Sequence, residues 1–257
     1  MTGNNGIFTY ECDKDPDGAE ILNSSQRNNE LVWPSVKEKP KAQYRTSWKN
    51  MCNVTSYIMA LEYAGWKFPG GSYKQPEDNL GYFILTNKDV RDHFKNRDKH
   101  MYDLFMKSLD GKCTDIELEQ MYFPTELHNF LSYGANHWIG ENVSMFVQNE
   151  SFVKQLFEQM VCNNLPIVIS TNFGGFGHIV TVTGVQYKGK PDMNSTPTGI
   201  IVDDPWGKYN PTTNKYDAPN GGNDILVPWD RVVKSVKPYG SADTKWMHLF
   251  KHGEATI

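Results

Sequence analysis

Apolar residues recur at Val54, Ile58, Leu61 and Ala64, the spacing of a helix with one buried face. Asn50 stands where a capping side chain belongs, and Gly65 where a left-handed turn ends a helix. Cys52 falls in the first turn of that helix. A second amphipathic helix is predicted over Ser151 to Cys162, with Phe152, Val153, Leu156, Phe157 and Met160 on one side. Between them the pattern predicts a highly charged helix over Asn87 to Ser108. It also predicts a short one over Thr114 to Tyr122, and a third from Pro124 to Tyr133, closed by Gly134. Beyond that the period changes. Leu165 to Thr171 is a short run rich in branched residues, Asn172 to Gly177 is a glycine-rich turn, and His178 opens a second run, Ile179 to Val185. A third strand, Gly199 to Val202, runs straight into Asp203-Asp204-Pro205-Trp206-Gly207, and Trp246 to Phe250 reads as the last strand. Helices first and an antiparallel sheet later is an α+β pattern.

At 257 residues the chain can bury a sizeable core, and no linker or internal repeat divides it. It reads as one domain over 1–257, with a mainly helical insertion at about 66–149 and a proline- and lysine-bearing loop from about Ser35 to Lys49. Hydrophobic residues make up 39% and charged residues 22%, a globular balance. The net charge is −4 and no basic stripe occurs, which argues against a nucleic-acid partner. No apolar run is long enough to insert in a membrane. The start, Met1 to Ile7, lacks the basic and apolar regions of a signal peptide, so synthesis in the cytoplasm without a cleavable address is expected. A monomer is the expected state.

The four cysteines, Cys12, Cys52, Cys113 and Cys162, are far apart and show no metal-binding spacing; reduced thiols are expected. A thiol at a helix start meets the positive end of the helix dipole, which favours the nucleophilic thiolate. A buried structural cysteine is the plain alternative for that feature alone. Asp13, Asp15 and Asp17, followed by Gly18, match the opening of a calcium loop. Ser24 stands where the closing glutamate belongs and Pro16 interrupts the loop, so an acidic surface turn is the favoured reading. That reading predicts no change of melting temperature in millimolar calcium. A rise abolished by Asp15→Ala would mark a real site instead.

Cysteine on an early helix, histidine at a strand start and acid at a strand end is the order of nucleophile, base and orienting acid in papain-like cysteine peptidases. The chain resembles the C39-like branch of those peptidases, and within it the peptidoglycan-degrading enzymes of bacteriophages and bacteria. The resemblance is carried by Cys52-Asn53-Val54-Thr55-Ser56 with Met59-Ala60 and Tyr63-Ala64-Gly65, by Gly177-His178-Ile179-Val180, and by Val202 to Gly207. Asn220 to Asn223 and Pro228-Trp229 also sit where relatives have a turn before a strand and helix. It implies a papain-like α+β fold, with a nucleophile helix packed on a C-terminal antiparallel sheet. It further implies Cys52 as nucleophile, His178 as base and Asp204, the acid before proline, as orienting acid beside Asp203. An upstream glutamine donates to the oxyanion in such enzymes. Gln26, in Ser25 to Asn29, carries the local likeness, and Gln43 is the runner-up, closer to Cys52. The chemistry requires no cofactor.

The implied function is hydrolysis of amide bonds in peptidoglycan, as by a phage endolysin. The bond is either the muramoyl–alanine amide or a stem or cross-bridge peptide bond. Delivery to the wall would then need a partner that permeabilises the membrane. Two other readings stay open: a protein-processing peptidase of the kind that trims bacteriocin leaders, and a catalytically silent module with the same fold. The remaining histidines read as surface or satisfied side chains. Trp66, Tyr73, Tyr82, Phe83 and Trp138 read as core more readily than as sugar platforms.

Overall fold

The computed structural model describes residues 2–4, 6–12, 51–109, 123–236 and 244–253. The fold is α+β, and contacts divide it into two compact units. One gathers the N-terminal strands, Thr55–Lys67 and the chain from Asn142 onward; the other gathers the chain from Phe68 to Glu141 with residues 51–54. The division passes through the first turn of a helix, α1 (Cys52–Tyr63).

The first unit is built on β1 (Thr2–Asn4), β2 (Ile7–Glu11), β3 (Ser144–Ser151), β4 (Ile167–Thr171), β5 (His178–Lys188), β6 (Gly199–Asp203), β9 (Ile225–Pro228) and β10 (Thr244–Phe250). They form one antiparallel sheet in the order β1-β2-β5-β4-β10-β3, with β6 against the other side of β5 and β9 against β6. The eleven-residue β5 is the organising strand. Its first half pairs with β4, from Thr171 opposite His178 to Ile167 opposite Val182, and its second half with β2. Ile167, Ile169, Val180, Val182, Val185, Ile200, Val202 and Val227 fill the core, closed by Phe152, Leu156 and Met160. Those three recur every fourth residue through the helix α6 (Phe152–Leu156) and a π-helical continuation, Phe157–Cys162. Ser151 caps α6 by accepting from the Lys154 amide.

Helix α1 is buried more fully than its one-sided pattern predicts. Residues of both faces lie inside, and only Cys52 and Glu62 keep partial exposure within it. Burial pushes the Glu62 carboxyl above its usual range. The reason is visible in the small polar residues. The Ser56 hydroxyl donates to the Ile179 carbonyl (3.0 Å), and the Thr181 hydroxyl donates to the Ser56 carbonyl (2.8 Å). Polar positions that a periodicity count places outside are thus satisfied against β5. Tyr57 packs edge-on to the buried His248 ring at 5.1 Å. The helix ends as predicted. Gly65 is left-handed (φ 86°), its amide donates to the Glu62 carbonyl, and the Trp66 amide donates to that of Leu61.

The second unit contains α2 (Pro76–Thr86), α3 (Lys88–Arg97), α4 (Lys99–Leu109) and α5 (Phe123–Ile139). The single charged helix expected over Asn87 to Ser108 is two helices that part at Asp98. Asn87 caps the first, its side chain accepting from the Asp89 and Val90 amides. Helix α5 does not stop at Gly134. It runs to Ile139 and turns at the left-handed Gly140. Gly134 is there for closeness, because a Cβ on it would lie 2.5 Å from Cγ1 of Ile84 on α2. The segment Thr114 to Tyr122 and the loop Ser35 to Lys49 lie outside the described residues. Trp66, Tyr73, Phe83 and Trp138 are half-buried and Tyr82 is exposed, so none of these five aromatics is a closed core residue. Among the described residues no helix is long and apolar enough to cross a membrane.

Candidate active site

His178 is the first residue of β5, directly after the glycine-rich turn. Its backbone is fixed by the antiparallel pairing with Thr171, whose hydroxyl donates to the His178 carbonyl. Asp203 is the last residue of β6, and Asp204 follows it out of the sheet. Pro205 has no amide to continue the ladder, so the strand ends there. The Asp204 amide donates to the Gly222 carbonyl at 2.8 Å, which sets the direction of the turn.

Successive side chains of a strand point to opposite faces, and the two acids separate accordingly. Asp204 turns to His178. Its Oδ1 accepts from the imidazole Nε2 at 2.7 Å and from the Trp206 amide at 2.8 Å, and its Oδ2 accepts from the Tyr216 hydroxyl at 2.8 Å. Asp203 turns to α1. Its Oδ2 accepts from the Tyr63 hydroxyl and its Oδ1 from the Asp224 amide. Both acids and the histidine are buried. A carboxylate accepts only, so the pairing places a proton on Nε2 of His178 and leaves proton exchange with a reactant to Nδ1.

Three aromatic rings surround the pair. Phe176 lies 5.8 Å from the His178 ring, Tyr216 6.2 Å and Trp206 6.4 Å. Tyr216 arrives on a small hairpin, β7 (Lys208–Asn210) and β8 (Lys215–Ala218). Phe176 is 40% exposed, so this wall has an open edge beside the histidine. Trp206 belongs to the Val202–Gly207 segment and Phe176 to the glycine-rich turn, while Tyr216 lies outside both. Phe176 and Trp206 lie two residues from His178 and Asp204, whereas Tyr216 is twelve residues from Asp204 and carries no local mark.

Cys52 opens α1, one turn ahead of Ser56, and is reduced and partly exposed. Cys12 is buried, its thiol donating to the Thr183 carbonyl, and Cys162 is exposed. Gln26, Gln43, Cys113 and the acids Asp13, Asp15 and Asp17 lie outside the described residues. Among the described residues no group of three or more His, Cys, Asp or Glu side chains is arranged to hold a metal ion.

The family model described as Peptidase_C39 like family matches residues 35–233. No curated protein and no solved structure matches the chain. The matched stretch covers about three-quarters of the sequence and includes Cys52, His178, Asp204 and Tyr216. With its helix-on-sheet α+β architecture, the chain belongs to the Peptidase_C39-like family, a family of peptidases.

Proposed function

We propose that the protein is a cysteine-dependent hydrolase that cuts amide bonds of bacterial peptidoglycan, with Cys52, His178 and Asp204 as its triad. The observation that carries the reading is the buried His178–Asp204 pair, 2.7 Å apart, at the start of the strand to which α1 is bonded. Ser56 holds α1 to Ile179, the neighbour of His178. Cys52 precedes Ser56 by four residues and therefore shares its face of the helix. Within α1, Cys52 and Glu62 are the residues with access to solvent.

In this mechanism the Cys52 thiolate attacks the scissile carbonyl carbon while His178, protonated at both nitrogens, is held by Asp204. The tetrahedral intermediate collapses as Nδ1 gives its proton to the leaving amine, leaving an acyl-thioester on Cys52. Water then gives a proton to Nδ1 and attacks the thioester, and the second collapse releases the acid and restores the thiolate–imidazolium pair. Asp204 keeps the ring in one tautomer and stabilises its positive charge without taking the proton itself.

The peptidoglycan substrate and the endolysin role rest on the likeness of the Cys52–Gly65, Gly177–Val180 and Val202–Gly207 segments to wall-degrading relatives. The test is clearing of a purified cell-wall suspension with mass spectrometry of the fragments. We expect clearing and one new class of amine, whose identity separates the muramoyl–alanine amide from a stem or cross-bridge bond. Intact walls alongside cleavage of a leader peptide would replace this reading with the protein-processing one. Intact walls and intact peptides would point to a silent module.

The oxyanion donor is Gln26 or Gln43. Local likeness favours Gln26, but the family match begins after it and contains Gln43. A donor aimed at the developing charge is worth about 3 kcal/mol in the transition state and little in the ground state. Substituting the true donor by alanine is therefore expected to lower kcat roughly a hundredfold or more with KM nearly unchanged. The other alanine variant is expected to stay near wild type. Equal, small effects from both would remove glutamine from the mechanism.

A further inference from the structure

We propose that Tyr216 is a positioning residue: its hydroxyl holds the Asp204 carboxylate in the orientation that serves His178, and moderates how strongly that carboxylate stabilises the imidazolium. The kinetic side of this inference rests on the triad reading above; the hydrogen-bond chain does not. Asp204 has two oxygens with different tasks. Oδ1 receives His178 and the Trp206 amide, and Oδ2 receives the Tyr216 hydroxyl at 2.8 Å. The Trp206 amide is a local turn contact, two residues away. Tyr216 comes from another element, so its bond stops the carboxylate from rotating about its own Cβ–Cγ axis.

The hairpin that delivers Tyr216 is anchored on both strands. Tyr209 pairs with Tyr216 across it, stacks on the buried Phe173 ring at 4.2 Å, and donates its hydroxyl to the Asn214 side chain. The Arg231 Nε donates to the Pro211 carbonyl at the hairpin's turn. The glycine-rich turn before His178 makes room for the ring. Gly174 is left-handed (φ 69°), and a Cβ on it would lie 2.8 Å from Cε2 of Tyr216 and 2.8 Å from Cε1 of Phe176. The turn that sets His178 and the hairpin that sets Asp204 thus meet at Tyr216.

Hydrogen bonds to a carboxylate favour its charged form and spread its charge. A carboxylate sharing its charge with Tyr216 and the Trp206 amide attracts the imidazolium less than one lacking the Tyr216 bond. Among the described residues the other ionisable groups about the pair are Asp203, which is bonded to Tyr63 and the Asp224 amide, Tyr209, which feels the Asp204 charge and is bonded to Asn214, and, in the triad reading, the Cys52 thiol.

The experiment is a ring-resolved NMR titration of the histidines in the full chain, with kcat and KM measured alongside. Tyr216→Phe keeps the ring and removes the donor. It is expected to raise the His178 midpoint by about half a unit or more and to lower kcat about tenfold through a looser Asp204, with KM within about twofold. Replacing Tyr216 with a fluorinated tyrosine, a stronger donor, is expected to move the His178 midpoint the opposite way. Tyr209→Phe, which loses a hydroxyl in the same hairpin, serves as the control and is expected to leave the midpoint in place. An unmoved midpoint in Tyr216→Phe, shifts of one sign from both Tyr216 changes, or an equal shift from Tyr209→Phe would each overturn the proposal. Activity surviving in Cys52→Ala would overturn the triad reading instead, while the titration would still decide the role of Tyr216.

Discussion

Replacing Cys52 by alanine is expected to lower turnover by at least about four orders of magnitude, because members of a triad act as a unit and the loss of the nucleophile leaves only binding and oxyanion stabilisation. The same change is expected to leave the melting temperature nearly unmoved. Cys52 is partly exposed at the end of α1, so its removal opens no closed cavity, unlike truncation of the fully buried Val54 or Ile58 beside it. Brief treatment with iodoacetamide gives a second readout. Access alone ranks Cys162, which is exposed, ahead of Cys52, and excludes Cys12, which is buried and bonded to Thr183. Activation by His178 reverses the first pair. Labelling of Cys52 well before Cys12, Cys113 and Cys162 would thus report chemistry rather than exposure. A wild-type rate in Cys52→Ala, or Cys162 labelled first, would end the nucleophile assignment.

The parts of the fold that were legible in the sequence are those where a residue's role is set by its neighbours in the chain. The branched runs at Ile167–Thr171 and Gly199–Asp203 are strands because they are buried on both faces and need no partner to mark them. Gly65 ends α1 because a left-handed turn there requires glycine. His178 and Asp204 could be paired on paper because each stands at a strand end beside a turn signal, and the sheet brings such ends together. Where the deciding interaction is distant, the pattern misleads. Gly134 reads as a stop, yet it is an inward face cleared for Ile84. Ser56 falls outside the apolar stripe of α1, yet it and Thr181 bond α1 to β5.

The same limit hid a helix of the second unit and part of the candidate site. Helix α2 begins with Pro76 at its first position, a good start signal, but Gly81 and two aromatic residues in its middle blur the helical period. The hairpin β7–β8 has strands of three and four residues separated by Pro211 to Asn214, too short to show alternation. Tyr216 is therefore invisible in the pattern, although it touches the carboxylate that the pattern finds. The choice between the two adjacent acids was open to sequence only through the proline that follows Asp204. The sheet adds the physical reason: alternation along β6 sends one carboxylate to β5 and the other to α1.

That separation yields the second large effect, and it divides two measurements between two neighbouring residues. Asp204→Ala leaves His178 without the acceptor that fixes its tautomer, and turnover is expected to fall by about two to four orders of magnitude. Part of this loss persists in Asp204→Asn, whose amide can present a hydrogen-bond donor to Nε2 where an acceptor is needed. Asp203→Ala removes a buried acceptor from the Tyr63 hydroxyl, which is itself buried, and from the amide of Asp224, a residue exposed to solvent. The buried Tyr63 hydroxyl left without this acceptor costs about 1–3 kcal/mol, and the folded state is expected to lose about that much. Turnover per folded molecule should drop far less than in Asp204→Ala, since the His178–Asp204 bond is intact. Tyr63→Phe, which removes one of those donors together with its need for a partner, should partly rescue the stability of Asp203→Ala and do nothing for Asp204→Ala. Kinetics and denaturant unfolding on the three variants decide the matter. A catalytic collapse in Asp203→Ala with Asp204→Ala close to wild type would move the orienting role one residue back, to the acid that faces Tyr63.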